Sequence, residues 1–174
     1  MRVNGRSRIA GLALIFLFGL SVFAVAESDG NRIFVYKQGD NEAIIEQARD
    51  GNYSYISQEG NANNAIANIS GGSNGTTQTQ SGNDNQAYAT LVGIGNAIIQ
   101  IQTGNNSHAS AVISGTRSSI GQYQIGDHNR SAANISGNNS MIQHFQIGDS
   151  LEGHSSLTGN DLSLTKIQIR LWGY

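Results

Sequence analysis

Gln58, Gln80, Gln102, Gln124, Gln146 and Gln168 recur at a constant step (80 − 58 = 22). Gly60, Gly82, Gly104, Gly126 and Gly148 keep that step, and so do Gly71, Gly93, Gly115, Gly137 and Gly159. A fixed period of this length marks a stacked repeat protein, in which each unit buries its apolar surface against its neighbours. A disordered tract has no physical reason to hold Gln and Gly in one phase from Asn52 to Asp161.

Within a period, Ile98, Gln100 and Gln102 fall on one face of an extended strand, because strand side chains alternate. Gly104-Asn105-Asn106 supplies turn chemistry, since Gly and Asn tolerate positive φ. Ala109, Ala111 and Ile113 then share one face of a second strand, and Ser114-Gly115 turns the chain again. No helical periodicity competes. The expected fold is all-β: a β-solenoid of about six and a half 22-residue strand–turn–strand rungs.

Stacking places equivalent residues about 4.8 Å apart, so the columns of the repeat read as ladders. Ile69, Leu91, Ile113, Ile135 and Leu157 form an aliphatic core column, and Ala67, Ala89, Ala111, Ala133 and Ser155 a small one. Asn41, Asn63, Asn85 and Asn129 form an amide column beside the glutamines. Side-chain amides in register bond to equivalents above and below, which offsets the cost of burying them. The expected turn column is Gly60, Gly82, Gly104, Gly126 and Gly148. At the edges, Gln38 falls in the glycine phase with Gly39 behind it, so the first turn is altered. Residues 162–174 supply only a first strand.

Four segments follow: a leader at 1–26, an irregular first rung within 27–51, five regular repeats at 52–161 and a half rung at 162–174. Arg2, Arg6 and Arg8, the apolar run Ile9 to Phe23 and Ala24-Val25-Ala26 have the form of a cleaved secretory signal peptide. Its removal leaves 174 − 26 = 148 residues and a balance of 7 − 12 = −5, without the clustered basic residues that nucleic acid requires. An exported chain with a Cys count of 0 must be held by its own ladders. A Pro count of 0 suits ladders that lose no donors.

The periods resemble the curlin repeat of curli subunits, Ser-x5-Gln-x-Gly-x-x-Asn-x-Ala-x3-Gln. Ser118 leads to Gln124, Gly126 and Asn129, and Ser140 to Gln146 and Gly148. Asn52, Asn74 and Asn96 replace the leading Ser, and the second Gln appears only as Gln47. Ser107 and Leu151 interrupt the Asn column, as Ser131 and Gly153 interrupt the Ala column. The resemblance implies a secreted structural subunit of an extracellular functional amyloid fibre, active in adhesion and biofilm. It also implies as partners further copies, the other curlin subunit, and the curli secretion and assembly proteins at the outer membrane of a Gram-negative cell. The incomplete, charged last rung resembles the minor, nucleating subunit more than the major one.

Other chemistry is thin. His108, His128, His144 and His154 fall at different phases, so no metal site is expected, and no cofactor. No Ser, Asp and His recur together as a nucleophile and its base, so an enzyme is not expected. The alternative is a monomeric solenoid adhesin. On the strand face opposite the glutamines, the late rungs carry Tyr123, Phe145, Ile167 and Ile169, a stripe running on to Trp172 and expected to bind a partner.

Overall fold

The computed structural model describes residues 13–17, 21–28 and 30–171, with side chains from Gly30 onward. Trp172 lies outside the described residues, as do 1–12 and 18–20 of the leader. In chain order the strands are β1 (Ala13–Leu17), β2 (Ser21–Ser28), β3 (Asn31–Gln38), β4 (Glu42–Ala48), β5 (Tyr53–Glu59) and β6 (Asn64–Gly72). There follow β7 (Gly75–Ser81), β8 (Gln86–Ile94), β9 (Ala97–Thr103), β10 (His108–Thr116) and β11 (Ser119–Ile125). The last are β12 (Arg130–Ser136), β13 (Met141–Ile147), β14 (Glu152–Thr158) and β15 (Ser163–Ile169).

Alternate strands join opposite walls. A glutamine sheet runs β15-β13-β11-β9-β7-β5-β3-β2, and an alanine sheet runs β1-β4-β6-β8-β10-β12-β14. From β3 onward every pairing is parallel and in register, as in Gln80 beside Gln102 and Ala87 beside Ala109. The fold is the β-solenoid expected, with about six turns at the 22-residue step. Among the described residues only β1 on β4 and β2 on β3 pair antiparallel.

Two aliphatic clusters share the interior, one toward each end of the stack. Toward the C-terminus, Ile98, Ile120 and Ile142 face Leu91, Ile113 and Ile135, with Leu157 partly buried at the margin. Toward the N-terminus the cluster is Ile33, Val35, Ile45 and Ile56 with Ala43, Ala65 and Ala67. Gln47 takes the first place of the Ile69 column, and its Nε2 donates to Ser54 Oγ at 2.8 Å across the interior. Thr76 Oγ1 donates to the same oxygen at 3.0 Å. Where an amide replaces an aliphatic residue, hydroxyls replace the aliphatic residues facing it, as polar burial demands.

The turns set the register. From Gly60 to Ser140 both corners of a rung use one form: a glycine with positive φ, a free position, a residue with left-handed φ such as Ala62 (56°) or Arg117 (53°), then Asn or Ser. A Cβ on Gly82 would lie 1.9 Å from the carbonyl oxygen of Gly104, so only glycine lets the next turn approach. That carbonyl in turn accepts from Asn85 Nδ2 at 2.7 Å. Because both corners match, the backbone repeats every half rung (71 − 60 = 11), a symmetry finer than the sequence period.

The first turn departs from the expectation in one respect. Gln38 does not occupy the glycine column: Lys37 pairs with Gln58, and a Cβ on Gly39 would meet the Gly60 carbonyl at 1.9 Å. The turn Gly39-Asp40-Asn41 is one residue short, which moves the strand before it by one place while Asn41 still stacks on Asn63 (Asn63 N to Asn41 Oδ1, 2.9 Å).

Gly82→Ala should destabilise the fold by about 3 kcal/mol or more, combining backbone strain at φ +121° with a clash against main chain. Gly75→Ala should be nearly neutral, because nothing lies within 4 Å of its Cβ position. Urea unfolding of the two variants against the parent checks the contrast.

Candidate functional site

What this chain presents is an interior of ladders that runs out to the stack ends, and two outer faces of opposite character. The expected glutamine ladder is continuous. Gln58 Nε2 donates to Gln80 Oε1 at 2.8 Å, Gln80 to Gln102 at 2.9 Å and Gln102 to Gln124 at 2.9 Å. Gln124 then donates to Gln146 at 2.8 Å and Gln146 to Gln168 at 3.0 Å. The second Nε2 hydrogen reaches a main-chain carbonyl of the alanine sheet, as in Gln80 to Asn64 O (3.1 Å) and Gln124 to His108 O (3.1 Å). The glutamines therefore tie rung to rung and wall to wall.

The ladder has a direction: every amide donates toward the C-terminus and accepts from the N-terminal side. Gln47, Gln58 and Gln78 Oε1, each the first amide of its column, are buried without a hydrogen-bond partner. At the other end Gln168 is half-buried and its Nε2 reaches Glu152 O at 2.8 Å.

The asparagine column is equally regular. Asn85 N donates to Asn63 Oδ1 at 3.0 Å, Ser107 N to Asn85 Oδ1 at 3.0 Å and Leu151 N to Asn129 Oδ1 at 3.0 Å. A matching column at the other corner, Asn52, Asn74, Asn96, Ser118 and Ser140, does the same, as in Asn96 N to Asn74 Oδ1 at 3.0 Å. Ser substitutes for Asn because a hydroxyl still reaches the next glycine carbonyl (Ser118 Oγ to Gly137 O, 3.2 Å).

Sequence reasoning missed a second internal amide ladder. Gln78 Nε2 donates to Gln100 Oε1 and Gln100 to Gln122 Oε1, both at 2.9 Å. The same 22-residue count would have found it (100 − 78 = 22), but only three glutamines stand in the column. Ile56 precedes them, while His144 and Lys166 follow.

His144 is fully buried there, and its surroundings have changed to suit it. Gln122 Nε2 donates to Ser131 Oγ at 2.9 Å, Ser131 Oγ meets His144 Nδ1 at 2.8 Å, and His144 Nε2 meets Ser155 Oγ. A Cβ on Gly153 would lie 2.8 Å from Gln168 Oε1 but an ordinary 3.6 Å from His144 Nδ1, so this break in the alanine column makes room for the last amide of the glutamine ladder. Burial, then Lys166 and His154, hold the imidazole at about 4, well below its ordinary range. His108 is also lowered, by burial and then Arg130, and Tyr88 packs beside it with ring centroids 5.4 Å apart. The four histidines do not converge; among the described residues no three potential metal ligands gather.

The expected stripe lies on the outer face of the glutamine sheet. Tyr123 and Phe145 stack with centroids 4.9 Å apart and planes at 6°. Ile167 is 63% and Ile169 57% exposed, and Ile125 and Ile147 extend the patch. From β7 to β15 no outward residue of this sheet carries a charge, whereas the alanine sheet turns Glu42, Glu46, Arg130 and Glu152 outward. No protein-family model, curated protein or solved structure matched the chain.

Folding removes the His144 imidazole from water as the neutral base, so the unfolded chain binds more protons between its ordinary pKa of 6.5 and the folded value of about 4. This contribution to stability is complete above pH 6.5 and is lost as pH falls toward 4. His144→Gln should extend the amide ladder and flatten that part of the pH profile. Thermal melts of both proteins between those limits read the difference.

Proposed function

We propose that this chain is a structural subunit, or the nucleator, of a secreted extracellular fibre of the curli type. One observation carries the reading: the ladders run in register to a last rung whose outer edges, on β14 and β15, have no strand beside them among the described residues. An uncovered edge of this kind templates another chain, and a soluble solenoid normally caps it. The curlin resemblance and the leader, read as a signal peptide cleaved after Ala26, support export before assembly.

The fibre grows by adding copies of this chain or of a companion curlin, and it meets the secretion and assembly apparatus at the outer membrane. The test is incubation of the purified secreted chain, alone and with a major curlin, followed by thioflavin fluorescence and electron microscopy. The expected result is fibres without a long lag; a chain that stays monomeric at high concentration for days overturns the reading. Changing Gln80, Gln102 and Gln124 together to Leu leaves Gln58 without its acceptor and Gln146 without its donor. Folding stability should drop by about 4 kcal/mol, at about 1 kcal/mol for each of the four Gln–Gln bonds lost, and fibre growth should slow.

The stacked Tyr123–Phe145 pair favours an adhesive role for the outer face of the glutamine sheet. Tyr123→Ser with Phe145→Ser should release fibres from the cell surface without altering the fold; retention at the parental level, measured by immunoblot of washed cells, assigns the attachment elsewhere.

A further inference from the structure

The two ends of the stack are complementary only after a half turn. The strands from β3 to β15 begin and end in the glutamine sheet. With residues 1–26 removed, β1 and most of β2 no longer lie on β4 and β3, and those two strands become the head of the stack. Stacking a second head on the tail by translation puts its β3 on β15. It then leaves β4 facing β14 across an empty strand position, about 4.8 Å of unpaired backbone. A rotation of 180° about the stack axis removes the gap. The second β3 then lies on β14 and the second β4 on β15, parallel in both places.

Rotation demands that the two walls share one backbone form, and they do. From Gly60 to Asp161 both corners carry the same glycine and the same left-handed residue, at an eleven-residue step (71 − 60 = 11), while in the head rung the turn Gly39-Asp40-Asn41 is one residue short and Arg49 replaces a glycine. The rotated arrangement suits Gln47 and Arg32 of the head, although it sets Lys37, six after Asn31, opposite Leu157, six after Leu151. The half-rung count puts Gln47 opposite Gln168, since each stands six residues after its turn position, Asn41 or Leu162. Gln168 lies at the donating end of the glutamine ladder, and Gln47 Oε1 is buried with no hydrogen-bond partner. The same count puts Arg32, one after Asn31, opposite Glu152, one after Leu151. Translation alone offers Gln168 the ammonium of Lys37, a group with no acceptor, and sets Arg32 beside Ser163. Lys166 does not discriminate, because it meets an aliphatic residue, Ile45 or Val35, in either arrangement.

We propose that the head of this chain docks on the tail of a second copy rotated by a half turn, with Gln47 continuing the glutamine ladder and Arg32 paired with Glu152. Successive copies then present their apolar faces alternately on opposite sides of the fibre. This rests on the self-assembly and leader removal proposed above.

The Cys count of 0 makes the geometry directly testable in fibres of the secreted chain. Neighbouring strands bring Cα atoms to about 4.8 Å, within disulfide range. Arg32→Cys with Glu152→Cys should yield covalent polymers under mild oxidation, and Arg32→Cys with Ser163→Cys should not. The reverse pattern, or fibres that cross-link in neither pair, overturns the half turn while leaving assembly intact. Absence of fibres from the parent chain overturns the assembly reading itself. Should the cysteine variants fail to fold, charge reversal decides. Arg32→Glu and Glu152→Arg should each slow elongation several-fold and together restore it; a double variant as slow as the singles overturns the pairing.

Discussion

Everything in this structure depends on one close approach, the carbonyl of each turn lying where a side chain of the turn before it would be. Gly60 admits the Gly82 carbonyl, Gly82 admits that of Gly104, and the asparagine three residues on donates to the admitted oxygen. Glycine makes the space and asparagine satisfies what fills it. Neither works alone: a side chain at the glycine blocks the stack, and loss of the amide leaves a carbonyl buried without its partner. With turns locked at both corners, the strands between them have one register, and each side chain meets its equivalent above and below.

That register decides what the interior can contain. A buried glutamine is costly singly, yet in phase each supplies the acceptor its neighbour needs. The ladders end where the phase is interrupted, and the interruptions come in matched sets. Ser54 and Thr76 accompany Gln47, while Ser131 and Ser155 accompany His144. Each set gives the buried intruder a polar partner, Ser54 for the Gln47 amide nitrogen and Ser131 and Ser155 for the imidazole.

The all-β class, the two-strand rung, the main glutamine ladder and the aliphatic column were legible because each rests on exact periodicity. The second ladder of Gln78, Gln100 and Gln122 obeys the same count, but Ile56 and His144 bound it too closely for the repetition to stand out. Gly39 was misassigned because counting by full periods cannot register a turn one residue short; only the pairing of Lys37 with Gln58 reveals it. The outward aspect of Ile125, Ile147, Ile167 and Ile169 followed from strand alternation alone. The half-rung symmetry was hidden because side chains differ between the walls, glutamine on one and alanine on the other, while the backbone does not.

The break at His144 also has a mechanical meaning. Under tension along the stack axis, bonds within one interface share the load, but successive interfaces carry it in series, so the weakest interface sets the tensile strength. Between β11 and β13 the second amide link is missing, since Gln122 donates sideways to Ser131 and not onward. Only the Gln124–Gln146 link crosses that plane within the glutamine columns. Two amide links cross β7–β9 and two cross β9–β11, against one or none at the other planes, so a chain pulled from both ends parts outside that block, which keeps its ladders as the fracture opens.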